Sequence, residues 1–126
     1  MTHECSHILI VDDEPTVVYT LKAILEHFGY RASEAGCMED ALAVLKSEPV
    51  EAIIADLALK GGVSGVEVIK KAREAQPNIA CLLLTGYAEP EIVDSLENQG
   101  IPVLFKPVEM RRLVGQLRLM MGEKAA

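Results

Sequence analysis

The chain has 126 residues, half of them hydrophobic and a quarter charged, with a formal net charge of −7. That size suits one domain around a single core, and the acidic balance argues against non-specific nucleic-acid binding. No apolar run approaches the roughly 20 residues of a membrane-crossing helix, and the polar start MTHECSH lacks a secretion-signal pattern, so a cytoplasmic location is expected.

His7–Val11 (HILIV) is apolar, long enough for a strand and too short for a helix. Pro15 suits the first turn of a helix, with Asp13 or Glu14 near its cap. Val17, Val18, Leu21, Ile24, Leu25 and Phe28 then recur at helical spacing until Gly29 stops the run. Tyr30–Glu34 alternates weakly, as an edge strand does. Met38–Lys46 is predicted helical, with Ala41, Leu42 and Leu45 on one face and Pro49 ending it.

Ala52–Ala55 is apolar throughout, the pattern of a central strand covered on both faces. A loop with three glycines, Lys60–Gly65, leads to a helix over Gly65–Ala75 that Ser64 caps and that buries Val66 and Ile69, with Val68 a weaker candidate. After the turn at Pro77 and Asn78, Ile79–Leu84 is the longest apolar run and the best central strand. Pro90–Asn98 reads as a short helix with Ile92, Val93 and Leu96 inward. Pro102–Phe105 reads as the fifth strand. Glu109–Met121 reads as a last helix with Met110, Leu113, Val114, Leu117 and Met121 in a stripe.

Five strands alternating with five helices imply right-handed βαβ crossovers and one α/β domain with a doubly wound parallel sheet over residues 1–126. Cys5, Cys37 and Cys81 show no C-x-x-C spacing and are odd in number, so they read as structural or incidental, Cys81 packing as a small hydrophobe.

Polar residues follow four of the apolar runs directly. Asp12 and Asp13 follow His7–Val11, Asp56 follows Ala52–Ala55, Thr85 follows Ile79–Leu84, and Lys106 follows Pro102–Phe105. In a parallel sheet all of them emerge at the carboxyl edge, where open α/β sheets bind ligands. Three carboxylates, a hydroxyl and an ammonium converging there make a site for a divalent cation and a phosphoryl group. Blander roles compete at each position: a helix cap for Asp12 or Asp13, a loop cap for Asp56, a β-branched turn residue for Thr85, a solvated surface cation for Lys106.

IVDDEP, IIADLAL, LLLTGYAE and VLFKP, in this order and spacing and across essentially the whole chain, resemble the response-regulator receiver domains of bacterial two-component signalling. The resemblance implies the flavodoxin-like strand order 2-1-3-4-5. It also implies a signalling receiver that catalyses only its own phosphorylation and dephosphorylation. Asp56 would take a phosphoryl group from a phosphohistidine on a sensor histidine kinase or phosphotransfer protein. Mg²⁺ would be held by Asp13 and Asp56 directly, by Asp12 through water, and by the backbone carbonyl of Ala58. Lys106 would pair with a carboxylate at rest and a phosphoryl oxygen afterwards, aimed by a cis Lys106–Pro107 bond. Thr85 would move toward the phosphoryl group and so switch the partner-binding surface.

The sequence departs from that family pattern in places. Val103 stands where many members carry an aromatic that moves with the threonine. The loop LALKGGVSG lacks the familiar proline and is one residue longer before Gly65, and Gly86 follows the threonine. Ala58 and Tyr87 flank the site at positions that tune phosphoryl lifetime in the family; Tyr87 either shields the phosphoryl group or is a half-buried loop aromatic. The sequence carries no DNA-binding segment after the last helix: if 126 residues is the natural length, a stand-alone receiver acting through protein contacts is expected, and if the chain is excised from a larger protein its output lies elsewhere; direct contact with nucleic acid or membrane is not expected of it. A homodimer through the face of the fourth and fifth helices fits the resemblance. The basic stretch Glu109–Ala126, with Arg111, Arg112, Arg118 and Lys124, reads first as a solvated helix face; with Leu119, which lies off the apolar stripe, it could alternatively serve a partner or dimer surface.

Two rival functions remain: a pseudo-receiver acting by binding alone, against which the full set of Asp12, Asp13, Asp56, Thr85 and Lys106 argues, and an aspartyl-phosphate hydrolase, against which Ala58 argues because such enzymes need a second acid there. Phosphate-loop and dinucleotide-binding glycine motifs are absent from the sequence.

Overall fold

The computed structural model describes residues 6–122. Five strands, β1 (His7–Val11), β2 (Arg31–Ala35), β3 (Ala52–Asp56), β4 (Ala80–Thr85) and β5 (Val103–Phe105), form one parallel sheet in the order β2-β1-β3-β4-β5. The helices are α1 (Pro15–His27), α2 (Met38–Ser47), α3 (Gly65–Ala75), α4 (Pro90–Asn98) and α5 (Met110–Met121), and the expected doubly wound order is the observed one. Cys5 and Lys124 lie outside the described residues.

Alternation of side chains along each strand builds two cores from one sheet. Ile8, Ile10, Ile54, Leu82, Leu84 and Leu104 face α1 and α5, whose Leu21, Leu25, Leu113 and Leu117 cover them. Leu9, Val11, Ile53, Leu83 and Val103 face the other way, under Leu45 of α2, Ile69 and Ala72 of α3, and Leu96 of α4. Both faces are therefore sealed, and β1 and β3 are buried at every position.

The strand ends shift by a residue from expectation. β5 starts at Val103 because Pro102 has no N–H to give the ladder, although its carbonyl still accepts from the Leu83 amide at 3.0 Å. β4 runs on to Thr85 and β3 to Asp56, so both residues are strand-anchored. Three helical assignments need correction. Val68 and Ile69, not Val66, are the fully buried valine and isoleucine of α3. Leu96 is the one fully buried residue of α4, and Ile92 is 45% exposed. Met110 lies on the exposed side of α5. Short amphipathic helices with apolar residues on adjacent positions leave the facing angle open until they dock.

The amino edge of the sheet, opposite the candidate site, is tied by side chains. Buried His7 bonds through Nδ1 to the Pro49 carbonyl at 2.9 Å and through Nε2 to Ser33 Oγ at 2.6 Å. Gln76 accepts from the Val50 amide at 2.8 Å and donates to the carbonyls of Leu45 and Glu48 at 2.8 and 2.9 Å, closing α2 and its following loop onto the end of α3. Cys81 is buried on β4; burial pushes its thiol pKa up against the opposing pull of Arg73. Cys37 is partly buried at the start of α2.

Candidate functional site

The parallel sheet carries each functional side chain to the same edge. Asp12 continues β1, its amide held by the Ala35 carbonyl at 3.1 Å. Asp56 closes β3, Thr85 closes β4, and Lys106 follows β5 with its amide on the Thr85 carbonyl at 2.8 Å. Asp12, Asp56 and Thr85 are buried polar residues, and the carboxylates of Asp12, Asp13 and Asp56 offer oxygens within 4.8 Å of one another.

Like charges so close repel strongly, and one cation answers them. The Lys106 ammonium donates to Asp12 Oδ2 at 3.1 Å and to Asp56 Oδ2 at 3.2 Å. Its Nζ also lies 3.5 Å from Glu14 Oε1. Burial alone would push the Lys106 pKa down, but its hydrogen bonds to Asp12 and Asp56 and their charges outweigh that effect and hold it above the ordinary lysine value. The Lys106–Pro107 peptide is cis, as the resemblance implied.

The second oxygens of the two bonded aspartates are fixed by backbone. Asp12 Oδ1 accepts from the Glu14 amide at 2.9 Å, and Asp56 Oδ1 from the Ala58 amide at 3.2 Å. The loop leaving Asp56 is compact. Ala58 bridges Ser64, the Leu59 amide bonds the Val63 carbonyl, and Gly61 and Gly62 make the tip with φ of 82° and 80°. Positive φ at both positions is what glycine tolerates, which explains the pair that displaces the familiar proline. Gly65 has a different role. A Cβ there would stand 2.2 Å from the Asp56 carbonyl oxygen, so the start of α3 packs against the very backbone that carries Asp56.

Two expected switch residues are placed differently from each other. Thr85 donates its hydroxyl to the Tyr87 carbonyl at 2.9 Å, and the Tyr87 amide reaches back to Oγ1 at 3.3 Å. Val103 is buried against Leu83 in register and belongs to the core. Tyr87 is 73% exposed, so of its two readings the half-buried loop aromatic does not hold. Sequence reasoning missed the approach of Glu14 to Lys106 and the contact of Gly65 with Asp56. The tripeptide Asp-Asp-Glu was the one available signal for the first, and a glycine opening a helix for the second.

Comparison with known proteins identifies the family and the fold. Residues 8–118 match the family model described as response regulator receiver domain. The response regulator SaeR of Staphylococcus epidermidis is 31% identical over 110 residues, covering 86% of this chain and 47% of that protein. The transcriptional regulatory protein ZraR of Escherichia coli K12 is 27% identical over 118 residues, 93% of this chain and 26% of that protein. The chain thus spans about a quarter to half the length of these curated relatives. Among solved structures, a CheY-like receiver domain protein of Methanospirillum hungatei JF-1 superposes with a TM-score of 0.85 at 29% identity, covering 94% of this chain and 95% of that one. A response regulator of Burkholderia pseudomallei, solved with a phosphorylated aspartic acid, calcium ion and citrate, gives 0.81 at 30% identity, covering 93% and 69%. The matched span begins in β1 and runs into α5, enclosing every one of the site residues, and the chain belongs to the response regulator receiver domain family.

Proposed function

We propose that this receiver takes a phosphoryl group onto Asp56 from the phosphohistidine of a sensor histidine kinase or phosphotransfer protein, with Mg²⁺, and thereby switches a partner-binding surface. The observation that carries the reading is Lys106 bonded to both Asp12 and Asp56 beside a third clustered carboxylate. In the transfer, a carboxylate oxygen of Asp56 forms the new bond to phosphorus as the bond to the donor imidazole nitrogen breaks, leaving an aspartyl phosphate and a free histidine. The Lys106 ammonium then has a phosphoryl oxygen to pair with in place of Asp56, and Thr85 has one to donate to.

The donor set fits Mg²⁺. Asp13 and Asp56 would hold the ion directly, Asp12 through water and Ala58 by its carbonyl, all hard oxygen donors. Three carboxylates facing one ammonium leave the cluster net negative, so a cation is electrostatically favoured there. The ion supplies neutralisation of charge at the phosphoryl oxygens.

One receiver spanning residues 1–126, cytoplasmic and acting through proteins without contacting nucleic acid, completes the reading. No helix among the described residues is long and apolar enough to cross a membrane. Exposed Ile92, Phe105 and Met110, with Arg111 and Arg112 on α5 and Glu91 and Asp94 on α4, support a homodimer through that face, which light scattering of the phosphorylated protein tests.

The test is intact-protein mass spectrometry after incubation with acetyl phosphate and Mg²⁺. Wild type should gain one phosphoryl group, and Asp56→Asn or omission of Mg²⁺ should abolish it. Failure of wild type to take up either a phosphoryl group or beryllofluoride would overturn the reading and leave a domain that works by binding alone.

A further inference from the structure

We propose that Glu14 sets the donor preference of the site by its charge, favouring a phosphoryl group carried on an imidazole and slowing transfer from free, more highly charged acyl phosphates; the proposal rests on the phosphoacceptor reading above. The backbone of Glu14 is committed to the site. Its amide donates to Asp12 Oδ1 at 2.9 Å, and its carbonyl accepts from the Val18 amide at 3.1 Å. Its side chain has no such task. Glu14 stands at the N-cap of α1, where short polar side chains reach the free amides, and it makes no cap bond. The carboxylate turns instead to Lys106, with Oε1 3.5 Å from Nζ.

Exposure places this carboxylate outermost. The side chains of Asp12, Asp56 and Lys106 are 2%, 10% and 20% exposed, and that of Glu14 is 56%. The Lys106 ammonium is thus held by two carboxylates from within, at 3.1 and 3.2 Å, and faced by a third on its more exposed side. An anion arriving from solvent meets Glu14 before it meets bare positive charge.

The charges of the cluster give that position its effect. Asp12, Asp13, Asp56 and Glu14 against Lys106 leave three net negative charges, and a divalent cation reduces them to one. Without Glu14 the cation-bound site would be neutral, so this side chain decides whether a donor meets a neutral site or a repelling one. Acetyl phosphate arrives with about two negative charges. Phosphoimidazole, which has the phosphorus–nitrogen bond of a phosphohistidine, carries about one fewer, because its ring takes up a proton near neutral pH. One unit charge about 7 Å from a dianion changes a rate by about sevenfold in water without salt and about twofold at an ionic strength of about 0.15 M. The repulsion falls hardest on the free dianion, and a protein-borne phosphohistidine brings a docking surface that offsets it.

Glu14→Gln removes the charge and keeps the size. With each protein saturated in Mg²⁺ at low ionic strength, the second-order rate of phosphorylation by acetyl phosphate should rise about fivefold in the variant. In that reaction the bond from Asp56 oxygen to phosphorus forms as the phosphorus–oxygen bond to acetate breaks, releasing acetate. The rate with phosphoimidazole should rise only about twofold, and both gains should fall below about twofold at about 0.5 M salt. Mg²⁺ affinity of the unphosphorylated protein, read by calorimetry, should move the other way and drop about fivefold at low ionic strength. Opposite signs mark a field effect; a side chain that only positions Lys106 or braces the loop would slow transfer when removed. An acetyl phosphate rate that holds or falls, equal gains with the two donors, or an unchanged Mg²⁺ affinity overturns the proposal. A wild-type protein that takes up neither a phosphoryl group nor beryllofluoride removes the phosphoacceptor reading itself and this proposal with it.

Discussion

Substituting Gly65 by alanine tests whether the Asp56 backbone is held by close packing. The added Cβ would sit 2.2 Å from the Asp56 carbonyl oxygen, 2.9 Å from its carbonyl carbon and 3.0 Å from Leu83 Cδ2. Ordinary contacts between such atoms begin near about 3.5 Å, so the Asp56 carbonyl or the start of α3 must retreat by roughly 1 Å. Neither is free to do so. Asp56 lies in β3, paired with β4, and the Gly65 amide is bonded to the Leu57 carbonyl at 2.8 Å. Overpacking of this kind costs about 1–3 kcal/mol, and a displacement of about 1 Å at a reacting group costs on the order of 100-fold in rate. Urea denaturation should show the stability loss, and the time course of phosphorylation by acetyl phosphate the rate loss. Gly115→Ala is the control, because Gly115 lies exposed within α5 with nothing within 4 Å of a built Cβ. There the same change should stabilise by about 1 kcal/mol and leave phosphorylation unaltered. A Gly65→Ala protein with wild-type midpoint and wild-type rate would refute the packing argument.

Lys106 gives a pH dependence of definite sign. Its folded pKa is raised, so its contribution to stability is complete below the unfolded lysine value of about 10.4 and is lost as pH rises through the higher folded value. The stability difference between wild type and Lys106→Met, followed by urea denaturation from pH 9 upward, should shrink in that alkaline window; a constant difference would contradict the ion pairs. Gln76→Ala should cost about 2 kcal/mol, because it strips the Val50 amide and two carbonyls of their partner at a part-buried junction. Chemical denaturation reads this, and a loss no larger than that of an exposed glutamine would show the clamp to be idle. Mg²⁺ at about 100 times its Kd should add about 2.7 kcal/mol of stability by mass action, and Asp13→Asn should remove most of the gain. Thermal melts with and without Mg²⁺ measure both, and an equal gain in the variant would place the ion elsewhere.

The order of elements was legible because every strand except the edge strand β2 is an apolar run closed by a polar residue, a pattern that a doubly covered parallel sheet imposes. The same property made the site legible. A residue that must stand at the carboxyl edge has to follow its strand directly, so Asp12, Asp56, Thr85 and Lys106 announce themselves by position. Facing angles were less accessible. Val66 against Val68, and Ile92 against Leu96, differ by where a short helix docks on the sheet, and that is settled by long-range packing. Partners remote in sequence were invisible for the same reason: His7 meets Pro49 and Ser33, and Gln76 meets Leu45, Glu48 and Val50, only after the sheet has formed.

The two glycine-bearing segments beside the site show how far local signals reach. Gly61 and Gly62 are explained by the chain itself, since adjacent positive φ values at a loop tip restrict the residue type. Gly65 is not, because its backbone angles suit any residue and the restriction comes from the Asp56 carbonyl across the loop. The first kind of constraint belongs to the loop tip and tolerates replacement of that tip by another that closes. The second belongs to the reacting carboxylate. A graft that replaces only the tip Lys60–Val63, keeping Leu57, Ala58, Ser64 and Gly65, should therefore preserve phosphorylation better than the single methyl group that alanine adds at Gly65.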